Sequence, residues 1–146
     1  MESLEKLQQI YREYLAAMEE NGAKNAGLRG ILNTLAYGPG GRDYSSLRFA
    51  EKVQELLQDA QPEPVERKAI FDFMLDAAWE QRDDSRVAMM LTAVHGCLIP
   101  LTKGLDSQQA RELLLRYDSL WPRKLRTPVM QDFARSLEEC CKACVP

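Results

Sequence analysis

PVERKAIFDFMLDAAW (residues 64–79) carries apolar side chains on more than one side of a helix. A helix of this kind must be covered on several faces, so it is typical of the centre of a bundle. We extend it to about residues 64–82. The next apolar stretch, about residues 85–98, has the same character. These two segments predict a pair of central helices with amphipathic helices packed around them.

The remaining helices follow from apolar residues that recur at spacings of three and four. Asn21-Gly22 is expected to end the first helix, and Gly38-Pro39-Gly40-Gly41 is expected to form a loop. Thr127 followed by Pro128 predicts the start of the last helix. These outer helices are expected at about 2–20, 24–37, 45–60, 106–120 and 128–144. With no period-two alternation of a strand, the prediction is an all-α, single-domain bundle of about seven helices over residues 1–146.

Composition narrows the class of protein. The chain has 146 residues, 45% of them hydrophobic and 28% charged, which is usual for a globular domain. The first residues lack the apolar segment of a secretory signal, and no apolar run approaches the roughly 20 residues that span a bilayer. We therefore expect a cytoplasmic protein with no membrane role and with reduced cysteines.

The cysteines and the single histidine give no convincing chemical site. Cys141-x-x-Cys144 has metal-ligand spacing, and Cys97 or His95 could complete a set with Cys140. The same cysteines continue the apolar stripe of the last helix, where free cysteine packs as a small hydrophobe. Packing is the favoured interpretation, and a metal-responsive regulator is the alternative. His95 is expected at a helix end, bonded to a carbonyl, so we predict no metal, no cofactor and no enzyme activity.

Two stretches are relatively basic although the net charge is −3. They cover residues 23–50 and residues 103–127. Cations grouped in this way can hold a nucleic-acid backbone without reading bases, and the alternative is an ordinary solvated surface. The predicted nucleic-acid-binding residues are Lys24, Arg29, Arg42, Arg48, Arg116, Arg123, Lys124 and Arg126.

Three short patches resemble the CasB family, the small helical subunit of the type I-E CRISPR Cascade surveillance complex. The first is Ala26-Gly27-Leu28-Arg29 followed by residues 35–40, the second is Gly104-Leu105-Asp106 leading to Leu113-Leu114 and Trp121, and the third is Asp132-Phe133-Ala134-Arg135. The chain departs from the family pattern at Gly30, where a second arginine is common. It is also short, as if one middle helix were missing, and its cysteine-rich end is not a family feature.

The resemblance implies a non-catalytic subunit that contacts nucleic-acid backbone and stabilises a displaced DNA strand. Its implied partners are other protein subunits of a ribonucleoprotein complex, single-stranded or R-loop DNA, the guide RNA backbone and a second copy of itself. In such complexes base pairing reads the sequence while protein supplies shape and positive charge. The alternative function is a protein–protein adaptor, either a helical bundle or a short α-solenoid, with no nucleic-acid role.

Overall fold

The computed structural model describes residues 2–24 and 45–143, and every regular element in these two ranges is helical. The prediction of an all-α bundle is therefore confirmed. The α-helices are α1 (Glu2–Lys24), α2 (Ser45–Gln58), α3 (Pro64–Glu80), α4 (Ser85–Ala93), the single-turn α5 (Ile99–Thr102), α6 (Ser107–Leu120) and α7 (Pro128–Ala143). Two 3₁₀ turns, Val94–Leu98 and Arg123–Leu125, connect helices. None of the helices within these ranges is long and apolar enough to cross a membrane.

Two predicted boundaries differ from the structure. The helix α1 continues through Asn21-Gly22 to Lys24, so the prediction that this pair ends it is wrong. Glycine inside a helix costs only about 1 kcal/mol, which the rest of a long helix can offset. The predicted helix 85–98 is divided at Val94, where a 3₁₀ turn begins. The predicted helix 24–37 and the Gly38–Gly41 loop lie outside the described residues, apart from Lys24.

Pro100 lies in the first turn of α5, where a missing backbone N–H leaves no helical bond unmade. The side chain of Asp106 then caps α6 by accepting from the Gln109 backbone N–H at 2.8 Å, while the Gln109 side chain accepts from the Asp106 N–H at 3.2 Å. This reciprocal pair confirms the predicted start of α6.

The helix α3 supplies the middle of the core, as its sequence predicts. Its buried side chains are Ile70, Phe71, Met74, Leu75, Ala77 and Ala78. They belong to one cluster with buried residues of the other described helices, including Leu7 of α1 and Phe49 of α2. The prediction that α4 is a second central helix is met only in part, because Val87 and Leu91 are buried but Met89 is exposed.

The last helix uses its cysteines for packing. Met130, Phe133 and Leu137 are buried, and Cys140 and Cys141 are half-buried against the same core. The Cys140 thiol also donates to the Thr102 carbonyl at 3.0 Å. The favoured interpretation of the apolar stripe is confirmed for the described residues, and Cys144 lies outside them.

His95 lies just after the end of α4, as predicted, and its side chain is fully buried in the core. Its Nδ1 is 3.0 Å from the Tyr117 hydroxyl, its Nε2 has no hydrogen-bond partner, and its ring contacts Trp121 and Phe133. The predicted bond to a carbonyl is wrong because the 3₁₀ turn carries the ring toward α6 and α7. Burial without a charged partner lowers the pKa of His95 to about 3.

We expect His95 to make the protein less stable at mildly acidic pH. An unfolded histidine has a pKa near 6.5, so between that pH and about 3 the unfolded chain binds a proton that the folded chain refuses. The free energy of unfolding should therefore fall by about 2 kcal/mol from pH 7 to pH 5 through this residue alone. Urea denaturation at both pH values measures this fall in the unchanged protein and in the variant His95→Gln. The variant should not show the part of the fall that comes from His95. An equal loss in both proteins would contradict the assignment.

Candidate functional site

A groove lined by three arginines lies between the 3₁₀ turn Arg123–Leu125 and one face of α7. Its volume is about 320 Å³. It is lined by Arg123, Arg126, Gln131, Ala134, Arg135 and Glu138, and we call this set the arginine groove. Each of the three guanidinium groups is paired with one carboxylate: Arg123 with Glu138, Arg126 with Asp118 and Arg135 with Asp132. The pairs of Arg123 and Arg135 are exposed, so another anion can compete with the carboxylates for these two cations.

Local sequence builds both walls of the groove. Pro122 follows Trp121, the residue at the C-terminal end of α6, and leads into the 3₁₀ turn. Thr127 then accepts a hydrogen bond from the Met130 backbone N–H at 3.3 Å through its hydroxyl, which starts α7 as predicted. The chain consequently reverses within a few residues. This reversal places the turn beside the first part of α7.

Arg126 is a fixed part of the wall. Only 3% of its side chain is exposed. Its Nε donates to the Trp121 carbonyl at 2.8 Å, its Nη2 donates to the Asp118 carboxylate, and its guanidinium lies 5.3 Å from the centre of the Tyr117 ring. These contacts hold the charge in one place and use two of the five N–H donors of the guanidinium.

Arg123 and Arg135 are the available cations of the groove. The Arg123 side chain is 83% exposed, and its nearest paired carboxylate, Glu138, is 3.7 Å away. Arg135 is also exposed and contacts Asp132 at 3.3 Å on its own helix. Exposed pairs of this kind contribute little energy, so both guanidinium groups can exchange a carboxylate for another anion at small cost. Lys124 is exposed in the adjoining turn but does not line the groove.

The other predicted cations do not join this surface. Arg116 bridges α6 to α3 by bonding to Asp72 at 2.7 Å and to Asp76. Its charge is thus matched by two carboxylates. Arg48 is exposed on α2, away from the lining of the groove. Arg29 and Arg42 lie outside the described residues, as does the side chain of Lys24.

Sequence reasoning missed four members of the groove, Ala134 and three polar residues. Gln131, Arg135 and Glu138 lie on α7 at spacings of four and three, which places them on one face of the helix. That spacing was the available signal. Arg135 also stands in one of the patches that resemble the CasB family, although it was not selected there as a binding residue.

The described residues offer little for catalysis or metal binding. No group of three or more histidine, cysteine, aspartate or glutamate side chains that could hold a metal ion occurs in residues 2–24 and 45–143. His95 is fully buried and its lowered pKa keeps it neutral. Burial raises the pKa of the Cys97 thiol, which disfavours the reactive thiolate. Anion binding in the arginine groove is the chemistry that this arrangement supports best.

Comparisons of the chain with protein-family models, with curated proteins and with solved structures find no match. The geometry of the groove and the residues that line it therefore carry the functional argument.

The two arginines of the turn should respond differently to mutation. Replacing Arg126 with methionine leaves the Trp121 carbonyl without its donor, and we expect a loss of about 2 kcal/mol in the free energy of unfolding. Arg123→Ala removes an exposed side chain and should change that free energy by less than about 0.5 kcal/mol. Urea denaturation of both variants measures the difference. Equal destabilisation would show that Arg126 has no special structural role.

Proposed function

We propose that this chain is a non-catalytic subunit of a Cascade-type RNA-guided complex and that it holds a nucleic-acid backbone in the arginine groove. The observation that carries the proposal is the convergence of Arg123, Arg126 and Arg135 on one groove, where the ion pairs of Arg123 and Arg135 are exposed and exchangeable. Two of these residues come from the turn and one from α7. A phosphate between them would be approached from both walls.

Arginine suits this task because its planar guanidinium presents several donors that match the oxygens of a phosphate. Arg126 is positioned in advance by Trp121 and Asp118, so it loses little freedom when a ligand arrives. Arg123 and Arg135 are exposed and can adjust to the path of the backbone. Contacts of this kind position a strand without reading its bases, as expected where base pairing supplies the sequence recognition.

The negative net charge of the protein is compatible with a basic site. Exposed charges more than about 8–10 Å apart are largely screened at physiological ionic strength. The potential in the groove is therefore set by its own side chains and by the paired carboxylates of Asp118 and Asp132 rather than by acids on distant helices such as α1. Binding depends on this local charge rather than on the total of −3.

Exposed apolar side chains near the groove support a role within a larger assembly. Leu125, in the turn itself, is 69% exposed, and Val129 in the first turn of α7 is 36% exposed. Apolar surface of this kind beside a polar site is common where proteins contact each other. A protein–protein adaptor without nucleic acid would share this feature. The salt dependence of DNA binding and the composition of the complex purified from the native cell distinguish the adaptor from the proposed subunit.

Binding to single-stranded DNA should be weak and should weaken further as salt rises. Each neutralised phosphate of a single strand contributes about 0.7 to the slope of log K against log salt concentration, where K is the association constant. The triple variant Arg123→Ala, Lys124→Ala, Arg135→Ala should reduce the size of that slope by about 2, because it removes two cations of the groove and one of the adjoining turn, each of which can contact one phosphate. Fluorescence anisotropy with a labelled oligonucleotide over a range of salt concentrations measures both slopes.

A matched control uses three cations of α1 and α2. The triple variant Lys6→Ala, Arg12→Ala, Lys52→Ala changes the net charge by the same amount but leaves the groove intact. The slope of log K against log salt concentration for this control variant should equal that of the unchanged protein. If both triple variants lower the slope equally, binding depends on total charge and the groove is not the site.

Purification from the native cell tests the assembly. The tagged protein should bring down larger protein subunits together with a short RNA, and nuclease treatment should remove the RNA signal. Mass spectrometry identifies the protein subunits, and gel electrophoresis identifies the bound RNA. Recovery of protein partners with no RNA, before nuclease is added, would favour the adaptor and refute the Cascade-type function.

A further inference from the structure

Trp79 and Arg82 form a cation–π pair at the end of α3, outside the groove. Trp79 is 36% exposed, whereas the other apolar residues nearby on α3, Ala77 and Ala78, are buried. The guanidinium of Arg82 lies over the indole ring at 4.3 Å from its centre, and Nη1 of Arg82 donates to the Trp79 carbonyl at 2.8 Å. Arg82 is itself exposed. We call this pair the Trp79–Arg82 platform.

The platform is connected to the arginine groove through one residue. The ring of Trp79 contacts the ring of Trp121 edge-on, with 6.1 Å between their centres. The carbonyl of the same Trp121 accepts the hydrogen bond from Arg126, which lines the groove. Trp121 is therefore a neighbour of both the platform and the groove, which brings the two within reach of one strand.

We propose that the Trp79–Arg82 platform stacks an unpaired nucleobase of the strand whose backbone lies in the arginine groove. The inference rests on the proposed function, since it assumes a nucleic acid in the groove. Every base has a π-face, and both aromatic rings and guanidinium planes accept it by stacking. A base inside a duplex is already stacked and paired, so the platform selects single-stranded over double-stranded ligand.

Capping of α3 is the purely structural role that Arg82 could have instead. Its hydrogen bond to the Trp79 carbonyl satisfies a group at the C-terminal end of the helix. That role needs neither an exposed indole ring nor a guanidinium over it. The two roles differ in a measurable way, because only stacking makes binding depend on whether the ligand carries bases.

The experiment compares two ligands of equal charge. One is an oligothymidylate of about eight nucleotides, within the range bound by single-strand sites, and the other is an abasic oligomer of the same length. Fluorescence anisotropy should show that the protein binds the oligothymidylate about tenfold more tightly. Trp79→Leu should bind the two ligands equally, with its affinity for the abasic oligomer unchanged. Leucine preserves an apolar contact with Trp121 while removing the stacking surface.

Indole fluorescence gives a second measurement. The chain contains two tryptophans, so Trp121→Phe leaves Trp79 as the single reporter. Its emission should be quenched by the oligothymidylate and not by the abasic oligomer. Arg82→Ala should reduce the preference for the base-bearing ligand. The control for lost charge is Arg111→Ala, at an exposed position on α6, which should keep that preference.

The outcomes separate this inference from the proposed function. Failure of both ligands to bind would refute the groove as well as the platform. Equal binding of the two ligands to the unchanged protein, without quenching of Trp79, would leave the groove in place and overturn the platform. The anisotropy result with Trp79→Leu stands even if Trp121→Phe does not fold.

Discussion

The packing around Tyr117 is the constraint on which the C-terminal half depends. This fully buried ring contacts His95 from the 3₁₀ turn, Trp121 at the end of its own helix and Phe133 from α7. Burial raises the pKa of its hydroxyl well above the usual value, so the group stays neutral as the partner of the His95 ring. Three separate segments are held together at this one point. Displacement of the ring would release α7, and with it one wall of the arginine groove.

The same ring explains how a charged residue became part of the wall. Arg126 lies over Tyr117 and is bonded to Trp121 and Asp118, so its burial is compensated by a carbonyl, a carboxylate and an aromatic face. A buried cation without such partners would be costly. Arg123, three residues earlier, is paired with Glu138 at 3.7 Å and stays exposed. Two arginines of one short turn therefore have different tasks: one shapes the groove and the other is available to a ligand.

The sequence predicts the helices better than it predicts the site. The helix at residues 64–80 and the stripe of α7 follow from apolar periodicity, and the starts at Asp106 and Thr127 follow from capping chemistry. These are local properties. The burial of Arg126 depends on the chain reversing at Pro122 to bring it back onto Tyr117, and no local pattern encodes this. The pairing of Arg116 with carboxylates of α3, distant in the sequence, escaped prediction for the same reason.

The charges of the groove indicate how strong an anion site it is. Arg126 is already paired with Asp118, so its contribution to the field is reduced, and Glu138 subtracts from that of Arg123. Arg135 is paired with Asp132, so every arginine that lines the groove has a carboxylate partner, which favours weak attachment of a backbone rather than tight capture. Weak sites become effective when an assembly presents several of them to one strand, because each later contact is made at high effective concentration. A groove of this strength therefore suits a subunit that acts beside others better than a protein that binds nucleic acid alone.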